Sequence, residues 1–278
     1  MSQVIGLIAG GGRLPVIVAD GIRAAGRRVA CVGIRHHFDA DLPQHCDHFK
    51  TAGIIQIGRW IRLLRRSNAR QAVIAGTVSK QRMHQRFRFF RHLPDLRGYR
   101  VVFNAWRTDN RAEALLTAVA DELNRGGVSL IDSTQYIPDH LAGEGVLTNC
   151  RPAASVQADI DFAAPLVRQL CALHIGQGMI VREREIIAVE ALEGTDRMMD
   201  RAAELRPRGG WILVKGAHPD KDMRFDVPTV GLQTLERLSK YKAAALAVET
   251  GRTILLDKPR FLAEADRLKI PVIGVPFA

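Results

Sequence analysis

The residues of this 278-residue chain best suited to chemistry are polar and acidic groups at a few points of its second half. The run "VEALEGTD" (189–196) places Glu190, Glu193 and Asp196 within one turn after an apolar segment. "MRFDVPTVG" (223–231) sets Asp226 before a proline-containing turn, with Thr229 and Gly231 after it. "HIGQG" (174–178) puts two glycines and the amide of Gln177 directly before a strand-like run, and Lys215 ends another run in "LVKGAHP". Carboxylates on loops at strand ends are what a hard divalent ion needs, because Mg2+ takes oxygen ligands and shares them with phosphate. An aspartate so placed can instead be the base for an attacking water. Structural readings compete. Thr195 and Asp196 are good cap residues for the helix that follows, Asp226 fits a turn before Val227-Pro228, and Lys215 fits a surface lysine at an element's end.

The first half offers a glycine loop, "GLIAGGGRLP" (6–15), between a strand-like run and a helix. Glycines let the main chain approach a ligand, and a helix N-terminus attracts anions. The loop lacks the third glycine of the dinucleotide fingerprint and the Lys-Ser/Thr of a P-loop. The second strand ends "GIRHH" rather than in an acid that would hold a ribose hydroxyl, which argues against NAD. What remains is a diphosphate or nucleotide loop with Arg13 at its rim, or tight strand-to-helix packing. "HHFDADLPQHCDH" (36–48) has the residue types for zinc but no matching spacing, and reads as a surface loop.

Composition narrows the classes. A net charge of +11 and pI near 10.1 favour anionic partners. From Lys80 to Arg100 seven Lys/Arg face one acid, with Phe87, Phe89, Phe90 and Tyr99 interleaved. That pattern suits a solvated basic excursion, a surface that meets lipid headgroups, or a base-stacking surface. No nucleic-acid signature accompanies the charge, so nucleic acid is not expected. Four cysteines without CxxC spacing indicate neither a disulfide framework nor a zinc ribbon. The first apolar run is too short for a membrane helix and lacks a signal peptide's basic start, so a cytosolic location is expected.

Elements follow from the periodicity. Strands are predicted at "VIGLIA" (4–9), "RVACVGI" (28–34), "QAVIAG" (71–76) and "VSLID" (128–132), and helices at 14–25, 57–66 and 111–125. Their alternation implies a parallel sheet covered on both faces. From Asp132 to Ala154 the pattern dissolves into Pro, Gly and polar residues, which marks a domain boundary. The second half predicts helices at 155–173, from "EGTD" to 205, at 232–242 and at 258–269. Around them lie a hairpin with its turn near Arg184 and the strands "GWILVKG", "AALAV", "TILL" and "PVIGV". The expectation is α/β throughout: a Rossmann-like parallel-sheet domain over 1–138 and a mixed α/β domain over 139–278.

Taken in order, "GLIAGGGRLP", "AGTVSK" (75–80), "IGQG", "VEALEGTD" and "RFDVPTVG" resemble the LpxI-type UDP-2,3-diacylglucosamine pyrophosphatase family of lipid A biosynthesis, over nearly the whole chain. The resemblance implies Mg2+-dependent (or other divalent-ion) hydrolysis of the diphosphate, giving UMP and 2,3-diacylglucosamine 1-phosphate (lipid X). The family's essential aspartate falls on Asp226, as base, metal ligand or both, with Asp196 as a further candidate ligand. Substrate contacts are expected from Gly10, Gly11, Gly12, Arg13, Leu14, Thr77, Ser79 and Lys80 in the first half. In the second they are expected from Gln177, Gly178, Glu193, Gly194, Thr195, Lys215 and Thr229. A diacylated substrate implies peripheral contact with the inner leaflet of the membrane, where the basic, Phe-bearing stretch would help, and a homo-oligomer is left open. The other reading kept is a nucleotide- or lipid-binding sensor on the same fold, which would bind ligand without product.

Overall fold

A computed structural model describes residues 2–78, 95–108, 112–218, 223–224 and 227–277. Ser79, Lys80, Asp226 and the phenylalanines at 87, 89 and 90 lie outside the described residues. The chain divides into two units: Met1–Ile137 with Met223–Phe225, and Pro138–Asp222 with Asp226–Ala278.

The first unit is built on five parallel strands, β1 (Val4–Ala9), β2 (Arg28–Ile34), β3 (His48–Ala52), β4 (Gln71–Ala75) and β5 (Ser129–Leu130). Their order, β3-β2-β1-β4-β5, is the one that heads the doubly wound nucleotide-binding sheet. Continuous runs of apolar and small residues, "VIGLIA" and "VACVGI", let β1 and β2 be buried on both faces, as parallel strands must be. On one face Ile8, Ala30 and Val32 pack with Trp60, Ile61 and Leu64 of α2 (Ile57–Arg66) and with Val119 and Leu123 of α4 (Ala112–Arg125). Helix α1 (Leu14–Ala24) buries Val16, Val18 and Ile22 and lies against β1, β2 and β4. It starts without a side-chain cap, and Pro15 in its first turn leaves no amide there to satisfy. The elements not expected include β3, which starts at the last residue of the run read as a surface loop (36–48), the short β6 (Gly145–Val146) inside the patternless boundary, and α3 (Leu96–Thr108), which begins within the basic stretch. β3 is an edge strand whose outward His48 and Lys50 interrupt the apolar signal.

The second unit carries a six-stranded mixed sheet in the order β6-β13-β11-β9-β7-β8. Strands β9 (Ile212–Lys215), β11 (Ala245–Glu249) and β13 (Val272–Val275) are parallel; β7 (Gly178–Arg182), β8 (Glu185–Val189) and the short β6 (Gly145–Val146) add antiparallel edges. The β7–β8 turn has both central residues at positive φ, Glu183 at 56° and Arg184 at 58°, the two-residue hairpin geometry. Buried Asp159 of α5 (Ala154–Ala172) holds that turn by accepting the Glu183 and Arg184 amides at 2.9 and 2.7 Å. Strand alternation sorts the two layers. Met179, Val181, Ile212 and Val214 face α5, while Ile180, Leu213, Leu246 and Val248 face α6 (Thr195–Leu205), α7 (Leu232–Lys240) and α8 (Lys258–Arg267). β10 (Thr229–Val230) pairs in parallel with β12 (Ile254–Leu255) as a separate two-stranded ribbon. Among the described residues no helix is long and apolar enough to cross a membrane.

Candidate functional site

The three parallel strands of the second unit end on one edge, which is where ligands bind in open α/β sheets. Lys215 closes β9 and Glu249 closes β11 on that edge, since Val248 is in register with Lys215. β7 runs the other way, so its first residue, Gly178, pairs with Lys215, and the Gln177 carbonyl accepts the Gly216 amide at 2.9 Å. β8 returns to the same edge and delivers Glu190, whose amide donates to Gly178 O at 2.9 Å. The turn 191–194 then starts α6 beside them.

These elements assemble a relay of side chains. Lys215 Nζ donates to Thr195 Oγ1 at 2.7 Å, and the Thr195 hydroxyl donates to Glu190 Oε1 at 2.9 Å. Lys215 is buried, and Glu190 Oε2 is buried with no hydrogen-bond partner among the described residues. That oxygen fills the space a Gly178 side chain would take, 2.6 Å from its Cβ position. A buried ammonium beside the N-terminal amides of an eleven-residue helix makes a cationic pocket for an anionic group.

Helix α6 is not capped as expected. Gly194, at φ 82°, takes the N-cap position and no side chain caps the helix. Thr195 is free for the relay because the glycine accepts the unusual backbone angle. Asp196 sits in the first turn, exposed, 3.5 Å from Arg237 Nε. Glu193 turns to Arg201 at 2.6 Å; its own backbone amide, then Arg201, holds its carboxyl below the ordinary range. Thr229 donates to Val227 O at 3.0 Å, next to the undescribed Asp226.

Sequence reasoning missed a second support, Glu249. Its Oε2 accepts the Ala217 amide at 2.6 Å, and Arg252, 3.9 Å from Oε1, donates to His218 O at 2.9 Å. The pair thereby pins the loop after β9, where the His218 ring stacks on His174 at 4.1 Å. The only signal was one acid ending an apolar run. Burial raises the Glu249 carboxyl pKa, while the Ala217 amide, Arg252 and Arg168 pull it down. A carboxyl raised in the folded state lends stability that is complete below its unfolded pKa and is lost as pH rises through the folded one. Glu249→Gln is therefore expected to match wild type in urea melts near pH 4 and to gain on it as pH rises past about 4.3, the ordinary glutamate value. Parallel stability curves for the two proteins would count against this.

The glycine loop of the first unit is more occupied than its sequence suggests. The Gly10 and Gly11 amides donate to Ala75 O at 2.9 Å and Thr77 O at 2.8 Å, and Thr77 N–H returns to Gly11 O at 2.9 Å. The Gly12 amide faces Asp39 Oδ1 at 3.4 Å, and Arg13 Nη1 lies 3.9 Å from Asp41. Gly10 and Gly11 thus serve close packing, since a Cβ on either would stand 2.6 Å from a carbonyl oxygen. The N-terminal turn of α1, with Arg13 and Leu14, is the part of the loop left to meet an anion, and Asp39 would compete with it there.

Among the described residues no three His, Cys, Asp or Glu converge as a metal site. Mg2+ needs only one or two carboxylates with substrate phosphate and water. The unpartnered Glu190 Oε2 and the exposed Asp196 are donors of the right type.

The family profile of the LpxI N-terminal domain matches residues 4–140, and that of the LpxI C-terminal domain matches residues 143–273. UDP-2,3-diacylglucosamine pyrophosphatase LpxI of Caulobacter vibrioides is 33% identical over 279 residues, 98% of this chain and 97% of that protein. Among solved structures, the biotin carboxylase–β,γ-ATP complex of Campylobacter jejuni is 13% identical, covering 73% of this chain and 42% of its own, with a TM-score of 0.24. With both domain profiles matched in order and a relative aligned almost end to end, the chain belongs to the LpxI family.

Proposed function

We propose that this protein hydrolyses the diphosphate of UDP-2,3-diacylglucosamine to UMP and 2,3-diacylglucosamine 1-phosphate in lipid A biosynthesis, with Mg2+ as cofactor. The observation that carries this is the Lys215–Thr195–Glu190 relay at the start of α6, on the strand edge where ligands bind. One phosphorus–oxygen bond of the diphosphate breaks as water adds, and negative charge builds on the departing phosphate. Lys215 and the α6 amides stabilise that charge, which is most of what a protein contributes to phosphoryl transfer. Thr195 and Glu190 hold the Lys215 ammonium in place. Asp226 takes the proton of the attacking water or helps to hold the metal, with Asp196 and Glu190 as further ligands. When bound, Mg2+ supplies neutralisation of the diphosphate oxygens.

In this reading 1–138 binds nucleotide through the α1 end of the glycine loop, with Ser79 and Lys80 following Thr77, which bridges to Gly11, and 139–278 is catalytic. The protein works in the cytoplasm at the inner leaflet, where its substrate resides; a homo-oligomer is compatible with it. The test is purified protein with UDP-2,3-diacylglucosamine, UMP and lipid X followed by thin-layer chromatography, with Mg2+ or EDTA, for wild type and Asp226→Ala. Product that needs both metal and Asp226 is expected. Tight binding without product from folded wild type would replace the enzyme by a sensor.

A further inference from the structure

The first unit bears a basic groove that the chemistry above does not use. It has a volume of about 1080 Å3 and lies between α2 and the start of α3. Arg62, Arg65 and Arg66 share one face of α2 by their spacing, and Arg70 follows the helix. All four are exposed, and none has a carboxylate partner among the described residues. The acids nearby are taken. Both oxygens of Asp95 accept backbone amides, from Gly98 at 2.8 Å and Arg59 at 2.9 Å, and Glu122 pairs with Arg97 at 2.9 Å.

Beside the arginines α3 holds apolar side chains out in water. Leu96 is 82% exposed, Tyr99 56% and Phe103 39%, at spacings of three and four that put them on one helix face. The Tyr99 and Phe103 rings stack at 5.6 Å, while Val101 turns inward. A row of guanidinium groups next to a protruding aliphatic and aromatic stripe suits a bilayer surface, with phosphate meeting the arginines and the stripe entering the acyl boundary. Base stacking would use Tyr99 and Phe103 but give Leu96 no partner. Nor is this the glycine loop's anion site. Gly10–Gly12 follow the carboxyl end of β1, whereas Arg65, Arg66 and Arg70 precede β4, at the amino edge of the same parallel sheet.

We propose that the Arg62–Arg70 groove and the Leu96–Tyr99–Phe103 stripe form a docking site for anionic phospholipid headgroups of a membrane surface. It deepens the function proposed above, since it rests on a diacylated substrate held in a bilayer, and it names the residues that would bring the protein there.

Co-sedimentation of the full chain with phosphatidylglycerol–phosphatidylethanolamine vesicles tests it, with phosphatidylcholine vesicles as the neutral control. Wild type is expected to bind the anionic vesicles only. Arg62→Glu/Arg65→Glu/Arg66→Glu is expected to lose more than about tenfold in partitioning, and the corresponding Gln triple covers the case in which charge reversal unfolds the protein. Leu96→Ser/Tyr99→Ser is expected to lose the binding that survives high salt. Hydrolysis of detergent-dispersed substrate should be equal in all of them. Vesicle binding unchanged in the arginine variants would overturn the proposal. So would unchanged vesicle binding with lost retention of a single-stranded oligonucleotide, which would assign the groove to nucleic acid. Loss of activity in detergent by a folded arginine variant would place the groove in the catalytic machinery instead. Wild type that binds vesicles yet hydrolyses nothing would count against the function proposed above and leave the docking site standing.

Discussion

Lys215→Met is expected to lower kcat/KM for the diacylglucosamine nucleotide by about 10²–10³-fold, the usual cost of losing one preorganised donor to a developing oxyanion. Methionine keeps the length and much of the volume of the lysine and removes the charge. Lys215 is buried at the end of β9 and its ammonium is fixed by its bond to Thr195, so the variant removes a charge that the fold itself holds in place. Thr195 retains its bond to Glu190, which leaves the rest of the relay in place. The loss should therefore fall on kcat and kcat/KM together, the mark of an interaction made in the transition state. Thr195→Val should reproduce part of it by releasing the ammonium, and Thr195→Ser should not. Steady-state kinetics, with thermal melts to certify folding, decide the matter. A change below threefold in both constants would return Lys215 to an ordinary strand-end lysine.

The second large effect is on stability. Gly176→Ala would set its Cβ 1.9 Å from Glu190 O and 2.7 Å from Glu190 C. Both are backbone atoms, so no rotamer change relieves the clash, and the segment that presents Glu190 must move. Overpacking of this kind costs about 1–3 kcal/mol, with the upper end expected here. Because Glu190 moves with it, activity should fall as well. Gly12→Ala is the control. Nothing lies within 4 Å of its Cβ position, and its cost is limited to the positive φ of 88°, about 1–2 kcal/mol. Urea melts of the two variants should rank Gly176→Ala as the weaker protein. The reverse order would show that the 174–178 loop yields more readily than its contacts suggest.

Local pattern carried most of the fold. "VIGLIA" and "IGRWIRLLRR" state their own structure, because a parallel core strand is apolar throughout and an amphipathic helix repeats every three to four residues. β3 and β6 escaped for the opposite reason: both are edge strands that bury little, so "HFKTA" shows no strand signal after the loop read over 36–48, and "GV" is lost in the patternless boundary. The site was legible in types and not in pairings. Lys215 and Thr195 are 20 residues apart, and only the sheet order puts the end of β9 beside the start of α6. Thr195 also illustrates how a residue suited to capping serves elsewhere once a glycine has taken the cap. Glu249 gave too little signal, since a single acid after "ALAV" does not reveal that it will grip the Ala217 amide.

The first unit takes back a short piece of chain after the second has begun: Ser133 donates to Met223 O twice, from its amide at 2.9 Å and its hydroxyl at 2.8 Å. During synthesis this partner for Ser133 is missing until residue 223 of 278 has left the ribosome. The amino-terminal half therefore cannot be finished as an independent folding event while the nascent chain is short. Those hydrogen bonds close only when much of the second unit already exists, which couples the birth of the two halves and means that bisecting the gene near residue 138 would leave the first unit without its partner for Ser133.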